Sequence, residues 1–206
     1  MIPMQKTEWL FFDLGSTLID ESEAYRRRIR ETVKGSAASA SDFSEIALRF
    51  WKQGLDGYRE ACAFLHLQKA QWLSELERPY QDCATVLDTL KRRGYRLGVI
   101  ANQQQGTETR LLHWNLLRFF DVIAASAEFG KAKPDPAIFL YALRNAHCEP
   151  QNAVMIGDRI DNDILPAKAL GMKTVRILSG PAACCAPVPD PADRTVQSLS
   201  DLPDIF

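Results

Sequence analysis

The sequence predicts an α/β protein, a parallel sheet with helices on both faces, carrying a small all-helical unit near its start. Three observations lead there. Short apolar runs of strand length recur along the chain. Between the later runs lie amphipathic stretches of 10 to 15 residues, the alternation that βαβ units produce. Between residues 20 and 78 the alternation stops, and helix-like segments follow one another directly.

Taken in order, Trp9-Leu10-Phe11-Phe12 is apolar at every position, as a strand buried on both faces must be, and it ends at Asp13. Ser22 to Val33, Asp42 to Gln53 and Tyr58 to Leu67 read as helices, and Leu67 to Leu76 as a further one, with no strand among them. Glycines 35, 54 and 57 and the small polar run over 35–41 punctuate these segments. Trp51, Tyr58, Phe64 and Trp72 recur at spacings that suit packing between helices. Pro79 marks the return to the sheet. A helix over Cys83 to Arg93 leads through Gly94 into the strand Arg96 to Ile100. Val122 to Ala125, Ala153 to Ile156 and Thr174 to Ile177 supply three more strands. The proline-rich stretch 180–193 reads as an exposed loop before a short terminal strand and turn. The expected division is a core of residues 1–18 and 79–206 and a helical unit of 19–78.

The composition restricts the function. With 46% hydrophobic and 25% charged residues the chain can bury a substantial core, and its net charge of −1 offers no basic face for nucleic acid or an anionic membrane. No apolar stretch approaches the roughly 18 residues of a membrane span. The start MIPMQKTEWL lacks the basic head and apolar core of a signal peptide. The five cysteines, at 62, 83, 148, 184 and 185, are odd in number and lack CxxC spacing, which points to reduced structural thiols. Together these predict a cytoplasmic protein. Nothing in the sequence sets its oligomeric state.

Ligands of an open parallel sheet gather beyond the carboxyl ends of its strands, so the residues just after each strand matter most. Asp13 follows the first strand, Asn102 the second, and Gly157-Asp158 the fourth, with Asp161 and Asp163 close behind. Lys133, in Gly130-Lys131-Ala132-Lys133-Pro134-Asp135-Pro136, follows the third and precedes a helix expected to begin near Pro134. Singly, each acid could be a turn residue or a helix cap. Together they form a cluster of like charges that calls for a cation, and a few oxygens plus water suit Mg²⁺. A lysine beside them would balance charge and hold a phosphate as a point charge. Asp161 reads as solvated.

These residues resemble the motifs of the haloacid dehalogenase-like (HAD) hydrolases. The first motif is Asp13-Leu14-Gly15-Ser16-Thr17-Leu18, the second Val99-Ile100-Ala101-Asn102, and the third Lys133-Pro134-Asp135-Pro136. The fourth is Gly157-Asp158-Arg159-Ile160-Asp161-Asn162-Asp163, continuing to Gly171-Met172. The resemblance implies a Rossmann-like core with a helical cap between motifs one and two. It implies a phosphatase for a small phosphorylated metabolite, with Asp13 as nucleophile forming an aspartyl-phosphate. Mg²⁺ would be held by the carboxylates of Asp13 and Asp158 and the backbone carbonyl of Gly15. Lys133 would neutralise charge on nucleophile and phosphate, Asp163 would orient Lys133 or metal-bound water, and Gly15, Ala101, Asn102 and Lys133 would contact the phosphate.

Two positions depart from the pattern. Gly15 stands where the family carries a second aspartate, the acid and base of the reaction, and Ala101 replaces a hydroxyl that would touch phosphate. Loss of acid–base catalysis removes roughly 10² to 10⁴ in rate, whereas one neutral hydrogen bond contributes about 1 kcal/mol. The expected enzyme is therefore weak, or selective for activated phosphates whose leaving groups need no proton, unless a cap residue such as His66 or Glu60 supplies the acid. Gly15→Asp is expected to raise turnover of alkyl phosphates. Two alternatives remain at this stage: a metal-independent 2-haloacid dehalogenase, in which an arginine from Arg26-Arg27-Arg28-Ile29-Arg30 would receive halide, and a non-catalytic binding protein on the same fold. Consecutive arginines on a helix more often form a solvated face.

Overall fold

The computed structural model describes residues 7–184 and 189–206. Strand β1 (Trp9–Phe12) is followed by a tight turn and the two-residue strand β2 (Ile19–Asp20). Three helices come next: α1 (Ser22–Val33), α2 (Ala40–Trp51) and α3 (Gly57–Phe64). The chain then runs through β3 (Arg78–Pro79), α4 (Cys83–Arg92), β4 (Arg96–Ala101), α5 (Thr107–His113), β5 (Val122–Ala125), α6 (Ser126–Phe129) and α7 (Pro136–Asn145). It closes with β6 (Ala153–Gly157), α8 (Leu165–Ala169), β7 (Lys173–Ile177) and β8 (Arg194–Val196).

Six strands form one parallel sheet in the order β5-β4-β1-β6-β7-β8, the Rossmann-like α/β arrangement expected. β1 lies at its centre, fully buried, and its alternating side chains build two separate cores. Leu10 and Phe12 join Leu87, Leu90, Leu97 and Val99 on one face. Trp9 and Phe11 join Ile138, Phe139, Met155 and Met172 on the other. A period of two on a strand covered on both sides forces this partition. Trp9 pairs with Arg96 on one side and Ala153 on the other, so the ends of β1, β4 and β6 lie level. The chain moves from β1 to β4 on one side and later crosses to β6 on the other. The crevice for a ligand opens at that reversal.

The helices α1–α3 pack around their own small core of Phe43, Ala47, Tyr58, Ala61 and Cys62. Helix α2 begins with a reciprocal cap, Ser39 Oγ accepting from the Asp42 amide while the Asp42 carboxylate accepts from the Ser39 amide. The expectation of no strand around this unit is corrected by β2 and β3, which pair antiparallel, Ile19 with Pro79 and Asp20 with Arg78. Two residues per strand leave no periodicity to read. The helix expected over Leu67 to Leu76 is absent: apart from one 3-10 turn at Ser74–Leu76, this stretch is irregular. It is tied down instead by the Ala70 amide, which donates to Tyr58 Oη and Thr32 Oγ1, and by Trp72, which lies edge-on to Tyr25. Phe64, expected inside the helix packing, is 63% exposed. The helix after Lys133 starts at Pro136 rather than Pro134, because the Asp135 carboxylate caps it by accepting from the Ala137 amide at 2.9 Å.

Cys62, Cys83 and Cys148 are free thiols, while Cys185 and the Cys184 side chain lie outside the described residues. No helix among the described residues is long and apolar enough to cross a membrane.

Candidate active site

Asp13, Lys133, Asp158 and Asp163 meet at the carboxyl end of the sheet. Asp13 directly follows β1, and its amide donates to the Ile156 carbonyl at 2.9 Å, which locks it beside the end of β6. Lys133 reaches in from the loop before α7. Its Nζ donates to Asp13 Oδ1 at 2.7 Å and to Asp163 Oδ1 at 2.5 Å. Asn102, at the end of β4, holds that loop: its Oδ1 accepts from the Lys133 amide at 2.7 Å and its Nδ2 donates to the Lys133 carbonyl at 2.9 Å. The Asn102 side chain is thus committed to positioning Lys133, which leaves its backbone as the part able to meet a ligand.

Asp163 is fully buried in one wide helical turn over Ile160–Ile164. Its second oxygen accepts from the Arg159 amide at 2.9 Å. This close seat requires Gly157, since a Cβ there would stand 2.4 Å from Asp163 Oδ2. Asp163 therefore uses both oxygens internally. Asp158 differs. Its carbonyl accepts from Arg176 Nε at 3.1 Å, but its carboxylate gathers no donor among the described residues and looks into the cavity. Asp161 is solvated as expected, paired with Arg159 at 2.6 Å.

The electrostatics follow. Burial opposes a charge on Lys133, but Asp13 and Asp163 outweigh it and hold the ammonium above its usual range. Burial, then the charges of Asp163 and Asp13, push the Asp158 carboxyl well above the carboxylate range. Carboxylate oxygens of Asp13, Asp158 and Asp163 all lie within 4.8 Å of one another. With a single ammonium among three acids and one carboxylate without a donor, the residues fit a small hard cation.

Above this floor is a cavity of about 730 Å³, walled on its far side by Tyr25, Arg28, Trp51 and Tyr58. The arginine run divides. Arg26 and Arg30 pair with Glu23, and Arg27 pairs with Glu31, on the outer face. Arg28 alone turns inward, stacked 4.1 Å over the Tyr58 ring, its Nε donating to the Ala70 carbonyl. Gly15 lines the cavity floor, whereas the Ala101 side chain lies in the core beneath it. His66 is exposed and Glu60 pairs with Arg59; neither reaches the cavity.

Among the cavity residues that were not anticipated, Glu21 lies nearest to where a side chain at position 15 would begin. Glu21 precedes α1 and bends back over the first turn, where its Oε2 accepts from Ser16 Oγ at 3.1 Å. Burial, then the charges of Asp13 and Glu77, push its carboxyl up to about 8. A glutamate at a helix N-cap, where Ser, Thr, Asp or Asn is usual, was the available sign.

Acids bridged by a lysine at the switch point of a parallel sheet, beneath a helical layer, define an α/β protein with a cation-ready cleft. The chain belongs to the haloacid dehalogenase-like hydrolases, whose family profile matches residues 10–177. It is 32% identical over 169 residues to a glyceraldehyde 3-phosphate phosphatase of Methanopyrus kandleri, covering 80% of this chain and 70% of that one. The protein of the same name from Methanocaldococcus jannaschii is 39% identical over 131 residues, 63% of this chain and 57% of the relative's length. A phosphoglycolate phosphatase of Aquifex aeolicus is 27% identical, over 94% of this chain and 93% of its own. Among solved structures, a HAD phosphatase from Thermococcus onnurineus shares the fold at a TM-score of 0.67 and 24% identity, covering 97% of each chain.

Proposed function

We propose that the protein is a Mg²⁺-dependent phosphohydrolase of small phosphorylated metabolites that works through an aspartyl-phosphate on Asp13. The observation that carries this reading is the Asp13–Lys133–Asp163 bridge beside the open Asp158 carboxylate, at the floor of a cavity of metabolite size. The names of the relatives support the phosphate class.

The residues divide the work as follows. Lys133 fixes Asp13 by one oxygen and presents positive charge to the incoming phosphoryl group. Asp163 keeps Lys133 in place. Asp13 attacks phosphorus, the bond to the leaving oxygen breaks, and water later releases phosphate from the carboxylate. The carboxylates of Asp13 and Asp158, with the Gly15 carbonyl, would hold the metal, which supplies charge to gather the phosphoryl oxygens. The helices α1–α3 serve as the cap that closes the site. Because position 15 has no carboxylate, turnover of alkyl phosphates depends on another proton source, and without one only activated phosphates react well.

A panel of phosphate esters with and without Mg²⁺, run on wild type and Asp13→Asn, tests the reading. Mg²⁺-dependent phosphate release in wild type and none in Asp13→Asn is expected. Chloride release from a 2-haloacid without metal would instead select the dehalogenase. Failure of Mg²⁺ and beryllofluoride to form an adduct, with no turnover, would select a binding protein.

A further inference from the structure

We propose that Glu21 is the proton-transferring carboxylate of this site, reaching from the start of α1 into the volume that Gly15 leaves free. This rests on the phosphohydrolase reading and supplies what that reading lacks.

Three placements carry it. First, a Cβ built on Gly15 would stand 2.5 Å from Glu21 Oε1 and 2.8 Å from Oε2, so the Glu21 carboxylate fills the space where a side chain at position 15 would begin. A glycine at 15 and a glutamate at 21 are therefore one arrangement: the residue without a side chain makes room for a longer one from farther along the chain. Second, Glu21 occupies the N-cap of α1 yet makes no capping bond, its carboxylate turning instead to Ser16 Oγ. Third, it lines the same cavity as Asp13, Lys133 and Asp158.

The backbone makes this reach possible. The amides of Leu18 and Ile19 donate to the Leu14 carbonyl, and the Ser16 amide donates to that of Ile19, which folds the chain back over Gly15. Pairing of Ile19 and Asp20 with β3 then fixes the direction in which Glu21 leaves. Ser16 sits at φ 58°, a left-handed position, and its carbonyl accepts from Ser179 Oγ, so the turn is anchored to the end of β7.

The chemistry balances with one carboxyl. As Asp13 attacks phosphorus and the ester P–O bond breaks, the protonated Glu21 gives its proton to the leaving oxygen, yielding the alcohol and a Glu21 carboxylate. Water then attacks the aspartyl-phosphate and passes a proton to Glu21. The P–O bond to Asp13 breaks, leaving inorganic phosphate and both side chains as they began.

Wild type, Glu21→Gln, Gly15→Asp and the double variant Gly15→Asp/Glu21→Ser, each with Mg²⁺, test it on glycerol 2-phosphate and on 4-nitrophenyl phosphate. Glu21→Gln should lose about 10²-fold or more on the alkyl ester and clearly less on the aryl ester. On the aryl ester it should also show a burst of nitrophenolate, with phosphate trapped on Asp13 after acid quench, because release by water has lost its base. Gly15→Asp alone should displace the Glu21 carboxylate, which lies where a side chain at 15 would begin, so its alkyl turnover should no longer depend on Glu21 and the double variant should match it. Equal losses on both esters with no burst, or a double variant far below Gly15→Asp on the alkyl ester, would overturn the assignment and leave Glu21 a structural residue. A wild type that neither turns over nor forms the adduct would overturn the phosphohydrolase reading, and this assignment with it.

Discussion

Lys133 is the residue on which the site turns. Its side chain is 1% exposed and bonded to two acids, so removing it leaves Asp13 and Asp163 facing each other in a buried setting. Deleting one partner of a buried ionic network costs more than the network contributes, because the remaining charges lose their compensation. Lys133→Met is expected to lower unfolding free energy by about 3 kcal/mol, measured by urea titration at pH 7, and to abolish phosphate release. An unchanged urea midpoint would show that the bridge does not hold the floor together. Asp13, Lys133, Asp158 and Asp163 were legible because each follows a strand, and strand ends can be read from apolar runs. Glu21 was not, since it arrives through a non-repeating turn and a two-residue ribbon. His66 and Glu60 attracted attention as possible acids only by residue type, and the fold leaves both outside the cavity.

At the scale of elements, Asp193 ties α8 to the edge of the sheet. Its carboxylate accepts from Lys168 Nζ at 2.8 Å, from the Thr174 amide at 2.9 Å and from Thr174 Oγ1 at 3.0 Å. Burial raises its pKa, but these donors outweigh it and hold the carboxyl below its usual value. A group whose folded pKa is depressed adds stability above its unfolded pKa, near 3.9, and loses it as pH falls through the folded value. Asp193→Asn should therefore be less stable at pH 7 by about 1–2 kcal/mol, and the gap to wild type should narrow below about pH 4. A gap independent of pH would mean that shape, not charge, secures this corner. The sheet strands and α4 were readable because a buried strand or an amphipathic helix repeats its pattern over several residues. The stretch after α3 has no such repeat and is held by isolated bonds to Tyr58, Thr32 and Glu77, which no local pattern announces. Arg28 separates from its neighbours for a related reason: only the seating of α1 decides which arginine turns inward.

At the scale of the molecule, the proposed Mg²⁺ site, a floor bearing three acids and one ammonium, would couple stability to cation binding. A ligand that binds only the folded state adds about 2.7 kcal/mol at a hundred times its dissociation constant. For a domain of this size each kcal/mol moves the melting temperature by about 2–4 °C, so saturating Mg²⁺ should raise it by roughly 5 to 10 °C. Asp158 is where this coupling concentrates, being buried beside Asp13 and Asp163 and without a donor of its own among the described residues. Asp158→Asn removes a carboxyl that burial and its acidic neighbours disfavour in charged form, and a cation ligand with it, so it should melt at or above wild type in chelator yet gain little from Mg²⁺. Differential scanning calorimetry of both proteins, with EDTA and with Mg²⁺, separates the two effects. An Asp158→Asn protein that gains as much from Mg²⁺ as wild type would place the cation elsewhere, and one that melts far lower in EDTA would mean that Asp158 is held by contacts stronger than its repulsion.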